Sequence, residues 1–173
     1  MTQYSKRMVA IHWLTLALII AAWFLGEAAH DARHDGNATL ARYITHALVG
    51  DAVVELTLMR LYFRRKDGTP KPLGTSTMDK VATGVHHSLY TVLVLLPITG
   101  IATIAFSDVG RALLAGDASL LPKKFTGVFA HNVHEVLVSV LIVMVAVHIL
   151  GAIKHHFILR DGLLSRMSLR RKD

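Results

Sequence analysis

Residues 131–156, HNVHEVLVSVLIVMVAVHILGAIKHH, decide how this sequence is read. They form a long apolar helix with histidines set into it. His134 and His148 are fourteen residues apart. At about 3.6 residues per turn that is close to four turns, so both rings leave one face, about 21 Å apart along the axis. The hydrocarbon core of a bilayer is about 30 Å thick. One helix thus presents an imidazole towards each membrane surface, and the two could hold metal centres stacked across it. The plainer alternative is two polar side chains satisfied by neighbouring helices, although ionisable groups inside a membrane are usually functional.

Composition supports the membrane setting. Of 173 residues 53% are hydrophobic, with a mean hydropathy of +0.45. A soluble domain of this size has no use for so much apolar surface. There is no cysteine, which excludes disulfides and thiolate or Fe–S ligation. A metal would have to be held by His, Met, carboxylate or backbone. The net charge of +7 falls between apolar segments rather than along one basic face. It therefore reads as membrane topology and not as a nucleic-acid surface.

Four apolar segments, at about residues 8–29, 43–63, 85–106 and 131–157, predict an all-α fold. The expected architecture is an integral membrane four-helix bundle, a single membrane domain over residues 1–173 in contact with membrane lipid. The first segment is too long for a signal-peptide core and carries His12 and Trp13 at its head, so it reads as a span. Trp13 and Trp23 suit the two interfaces. The second segment is the most polar. Asp51 and Glu55 lie four residues apart on one face, which must look into a bundle or towards water. Arg60 near its end can snorkel. The basic stretch 64–80, with Pro70 and Pro72, and the stretch 107–130, with Gly110, Gly116 and Pro122, read as loops. Pro97 is expected to kink the third segment.

Charge sets the orientation. Fourteen of the nineteen Lys and Arg lie at the N-terminus, from Arg60 through the second loop, or from Lys154 through the tail with Arg166, Arg170, Arg171 and Lys172; five lie in the first and third loops. The positive-inside rule then makes both termini cytoplasmic in a multi-pass protein.

Each histidine thereby gains a depth. His46 and His134 lie at the outer ends of the second and fourth helices, His12 and His148 towards the inner ends of the first and fourth. Two imidazoles facing each other in an apolar bundle suit the axial positions of a haem iron. Zinc fits poorly: structural sites take four close ligands, and no H-E-x-x-H motif is present. His131 is a rival ligand or an interface residue, and His86 and His87 compete for the inner level. His30 and His34 read as solvated. His155 and His156, about 10 Å beyond His148, are candidates to exchange protons with a quinone.

These features together resemble the bacterial cytochrome b561 family of di-haem, four-helix inner-membrane proteins, related to the cytochrome b subunits of nickel–iron hydrogenases and formate dehydrogenases. The resemblance rests on Ile11-His12-Trp13, on His46 followed by Gly50, on Leu96-Pro97 through Gly100, and on His134-Glu135, His148 and His155-His156. It covers nearly the whole chain. It implies two haem b groups with iron ligands His12 and His148 on the cytoplasmic side and His46 and His134 on the periplasmic side. It also implies localisation in the bacterial inner membrane.

Short free-standing relatives resemble a superoxide:quinone oxidoreductase. That implies an enzyme passing electrons from superoxide, or from a periplasmic redox partner, to membrane quinone. Lys123 and Lys124 are the candidate steering groups for a small anion. Two alternatives remain: a membrane-anchor cytochrome b subunit of a larger dehydrogenase or hydrogenase, and a haem-free channel or transporter using Asp51 and Glu55.

Overall fold

The computed structural model describes residues 3–70, 74 and 77–170. Pro72 of the basic loop and Arg171 and Lys172 of the tail lie outside the described residues. Four long helices make up most of the chain: α1 (Lys6–His34), α2 (Leu40–Asp67), α3 (Thr77–Ala105) and, after a short α4 (Asp108–Ala115), α5 (Phe129–Ile153). There is no strand among the described residues. A π-helical turn, Lys154–Leu159, extends α5.

The long helices alternate in direction. α1 packs along α2, α3 packs along α5, and α2 against α3 joins the two pairs. An even number of passes returns the chain to the side it started from. There the two ends of the chain touch. Tyr4 N donates to Arg166 O (3.2 Å), Gln3 Nε2 to Ser165 O (3.0 Å) and Trp13 Nε1 to Met167 O (3.1 Å). This is the terminal end of the bundle, and the opposite one is the distal end. Asp67, the last residue of α2, closes the terminal end. It pairs with Arg7 and accepts from Ser5 Oγ at 2.6 Å. Arg7 first, then Ser5, hold its carboxyl down from 3.8 to about 2.

α1, α3 and α5 with its π turn are long and apolar enough to cross a membrane. Phe24, Ile101 and Leu150 lie outward on them. α2, expected to span at residues 43–63, does not meet that standard of length and composition among the described residues. Asp51 and Glu55 are exposed on one side of it, and His46 and Arg60 interrupt the other. It still runs its 28 residues, about 42 Å, against both α1 and α3.

Two further differences from the sequence reading have local causes. The basic stretch 64–80 is shorter as a loop than expected, because α3 already begins at Thr77. The stretch 107–130 contains α4. Ser107 caps it by accepting from Val109 N, and Gly116 ends it in the left-handed region at φ 66°. Gly110, expected in a loop, sits inside α4. A Cβ there would come within 2.7 Å of Ile104 O, so glycine serves a close approach to the end of α3. Pro97 does interrupt the α3 ladder, yet the helix continues through it.

The core lies halfway along the bundle. Val53, Val92, Leu93 and Leu141 are buried there, with Leu18, Ile19, Leu89, Leu96, Leu137 and Val145 packed around them. Val53 is seven residues from both His46 and Arg60. Leu141 is seven residues from both His134 and His148. Seven residues is about two turns, or 10.5 Å, so the apolar layer separates two polar levels.

Candidate functional site

Each long helix contributes one residue to each level, and the two are fourteen apart. The distal level holds Gly26, His46, Gly100 and His134; the terminal level holds His12, Arg60, His86 and His148. The midpoints, Ile19, Val53, Leu93 and Leu141, all belong to the core layer.

At the distal level the His46 and His134 ring centres are 6.2 Å apart and their planes are at 80°. Each ring is braced from the side. His46 Nδ1 lies 3.0 Å from Ala22 O. His134 Nδ1 lies 3.0 Å from both Leu96 O and Thr99 Oγ1, and that hydroxyl itself donates to Leu96 O at 2.8 Å. A carbonyl can only accept, so in both neutral rings Nδ1 carries the proton and Nε2 keeps a free lone pair. Bracing of this kind characterises metal-binding histidines. The glycines give the rings room. A Cβ on Gly26 would sit 3.1 Å from His46 Cε1, and one on Gly100 would sit 3.5 Å from His134 Cε1.

At the terminal level the His12 and His148 ring centres are also 6.2 Å apart, at 71°. Two imidazoles binding one ion from opposite sides, with bonds of about 2.0 Å, place their ring centres about 6 Å apart. Both pairs meet that distance. The donor set is neutral nitrogen in an apolar setting, which fits the axial positions of haem iron. The terminal pair differs in its surroundings. Arg60 donates to His12 Nδ1, and the His86 ring lies 5.2 Å from His148. Arg60 was expected to snorkel outward. Instead it turns inward, and its Nε is buried. The signal was present in its spacing from His46, fourteen residues, the same interval that singles out His134 and His148. Gly26, likewise missed, is fourteen residues from His12.

His131 turns away from the pair. Its ring stacks 4.0 Å from Phe125, and its Nε2 lies 3.2 Å from Glu135. His87 is exposed and its Nδ1 bonds Thr83 O on its own helix. His30 and His34 pair at 4.5 Å beyond the distal level, with Arg33 beside His30. His155 meets Asp161 at 2.5 Å in the turn after α5, and that bond lowers the Asp161 carboxyl below its ordinary value. His156 lines a neighbouring cleft with Gln3, Arg160 and Arg170. Lys124 lines a cleft at the distal end with Arg111 and Phe125, and Lys123 is not among its lining residues. Asp108 pairs with Arg111 there at 2.9 Å.

The fold is an α-helical membrane bundle carrying a facing imidazole pair at each of two levels. The chain matches the family described as prokaryotic cytochrome b561 over residues 3–168, and it belongs to that family. It is 28% identical to cytochrome b561 homolog 1 of Escherichia coli, over 99% of this chain and 100% of the relative. It is 30% identical to cytochrome b562 of Cereibacter sphaeroides, over 95% and 94%, and 26% identical to a probable superoxide oxidase of Yersinia pestis, over 95% of each. No solved structure matches the chain. Membership makes this an integral membrane protein of electron transport and implies that it binds haem b.

The two glycines give a graded test of the distal level. Gly26→Ala must push His46 by a few tenths of an ångström, whereas Gly100→Ala makes only ordinary contact. Gly26→Ala should therefore alter the absorption spectrum of the protein, and Gly26→Val should abolish one component of it. Gly100→Ala should leave the spectrum as in the wild type.

Proposed function

We propose that the chain holds two haem b groups in one membrane domain, one between His46 and His134 and one between His12 and His148, and carries electrons from a periplasmic donor to membrane quinone. The observation that carries this reading is the repeat of a 6.2 Å imidazole pair at two levels, set fourteen residues apart on α5. The positive-inside rule supports four crossings with the terminal end cytoplasmic, and hence the inner membrane of a bacterium. Haem b, bound at these levels, supplies one-electron centres.

The chain's own residues serve four tasks. The Ala22 and Leu96 carbonyls orient His46 and His134. The layer around Val53, Leu93 and Leu141 keeps water out between the levels. Arg111 and Lys124 favour a small anion at the distal end, although Asp108 offsets part of that charge. At the terminal end His155, seven residues past His148, stands with Asp161 as a group able to pass a proton to a quinone oxygen.

The name of the Yersinia relative supports superoxide as donor. The reaction balances as two superoxide ions and one quinone with two protons giving two dioxygen molecules and one quinol. A second reading, the membrane-anchor subunit of a larger redox complex, draws on Asp51 and Glu55. Exposed carboxylates on a bundle helix at membrane depth favour cover by another protein. The channel reading would instead leave the purified protein colourless.

Single alanine variants test the pairing. His46→Ala and His134→Ala should remove one and the same haem, and His12→Ala and His148→Ala the other, as read by pyridine haemochrome assay and reduced spectra. If His86→Ala removes the terminal haem while His12→Ala spares it, the assignment is wrong.

Stopped-flow mixing tests donor and acceptor. Oxidised protein mixed with superoxide should become reduced at a rate that falls with salt and in Lys124→Glu, and added quinone should reoxidise it. His155→Ala should slow only the second phase. Absence of reduction by superoxide, with rapid reduction by a copurified redox subunit, would establish the subunit reading in its place.

A further inference from the structure

Arg60 occupies the place in α2 that His148 occupies in α5, fourteen residues after the distal histidine of its helix. A guanidinium therefore stands among the three imidazoles of the terminal level. One amino group donates to His12 Nδ1, and the Tyr90 ring lies 6.0 Å from Cζ. Nε is buried and has no hydrogen-bond partner among the described residues. No carboxylate pairs with it among them either. Asp51 and Glu55 are exposed and rotated well away from Arg60 on α2, and Asp67 is taken by Arg7 and Ser5. A guanidinium stays charged at any ordinary pH. Inside an apolar bundle it calls for an anion, and its planar fork suits a carboxylate.

The contact with His12 points the same way. A neutral ring whose Nδ1 accepts from Arg60 carries its proton on Nε2, so it cannot offer Nε2 to a metal. The distal pair has carbonyls facing Nδ1 and does not meet this conflict. For His12 to coordinate through Nε2, Arg60 must bond something else.

We propose that Arg60 is the anion-pairing residue of the terminal site and takes a propionate carboxylate of the haem held by His12 and His148. This rests on the reading of that pair as haem ligands. One exchange of partners then satisfies the buried Nε, neutralises the charge and frees His12 to protonate on Nδ1. Arg60 is a binding and positioning residue, not an iron ligand. The phosphate of a lipid headgroup offers an anion of similar chemistry, and the test separates the two sources.

The test uses the full chain in nanodiscs, loaded with haem b or with its dimethyl ester, which lacks the carboxylates. The readout is the rate at which each site loses its haem to excess apomyoglobin. Arg60→Gln should lose the terminal haem b at least about tenfold faster than wild type, as expected for one charge-assisted pair. The distal haem should be unaffected, and Arg60→Lys should be intermediate. Wild-type protein carrying the ester should also lose it faster. Arg60→Gln carrying the ester should be no faster than that, because both changes remove the same contact.

Equal loss of haem b from Arg60→Gln and wild type would overturn the proposal. So would effects of the substitution and the ester that multiply. A difference present only in nanodiscs of anionic lipid would assign Arg60 to a headgroup and also overturn it. If Arg60→Gln folds poorly, Arg60→Lys carries the comparison, and equal loss of haem b and of its ester from the terminal site of the wild-type protein would also overturn the proposal. If His12→Ala retains the terminal haem, the ligand assignment itself has failed, and the role of Arg60 falls with it.

Discussion

The hydrogen bonds from His46 and His134 to the backbone carbonyls of Ala22 and Leu96 are the contacts on which the distal site depends. An imidazole in an apolar bundle must satisfy two nitrogens, and leaving either unpaired is costly. Here each ring uses one nitrogen to bond the main chain of a neighbouring helix and turns the other towards its partner. The bond fixes the tautomer as well as the direction of the ring. The Leu96 carbonyl also receives Thr99 Oγ1.

Spacing carries this arrangement through the whole bundle. Because fourteen residues is close to four turns, a helix can place one residue at each level on a single face and an apolar residue halfway between. All four long helices do so. The distal level combines two histidines with two glycines, so bulk is removed where the rings stand. The terminal level combines three histidines with an arginine, so it gathers polar groups and positive charge. The levels are alike in ring spacing and unlike in what surrounds the rings. That difference gives the two ends of the molecule different electrostatic settings within one repeated geometry.

Much of this was legible in the sequence. Long apolar runs locate the helices, charge places both termini on one side, and the depths of His12, His46, His134 and His148 sort them into the two ring pairs found at 6.2 Å. Other features were hidden for physical reasons. Gly26 carries no side chain to attract notice, and its meaning lies in the distance to His46 across a helix interface. Arg60 reads as an interfacial cation by its charge, and only its fourteen-residue register from His46 reveals the level it belongs to. α4 is short and contains Gly110, whose role depends on the Ile104 carbonyl at the end of α3. α2 is polar on two sides, inward for the levels and outward at Asp51 and Glu55, so hydropathy alone undervalues a helix that packs against two others along its length.

Electron paramagnetic resonance of the oxidised protein, with spin quantified against protein, tests the central claim most directly. Two histidines binding one ferric haem would give a low-spin signal, and ring planes at 71° and 80° would put both signals in the strongly anisotropic class of near-perpendicular ligands. The account predicts two such signals per chain, one absent from His46→Ala and the other from His12→Ala. One low-spin signal per chain, or a high-spin signal in the wild type from iron with a single histidine, would contradict it.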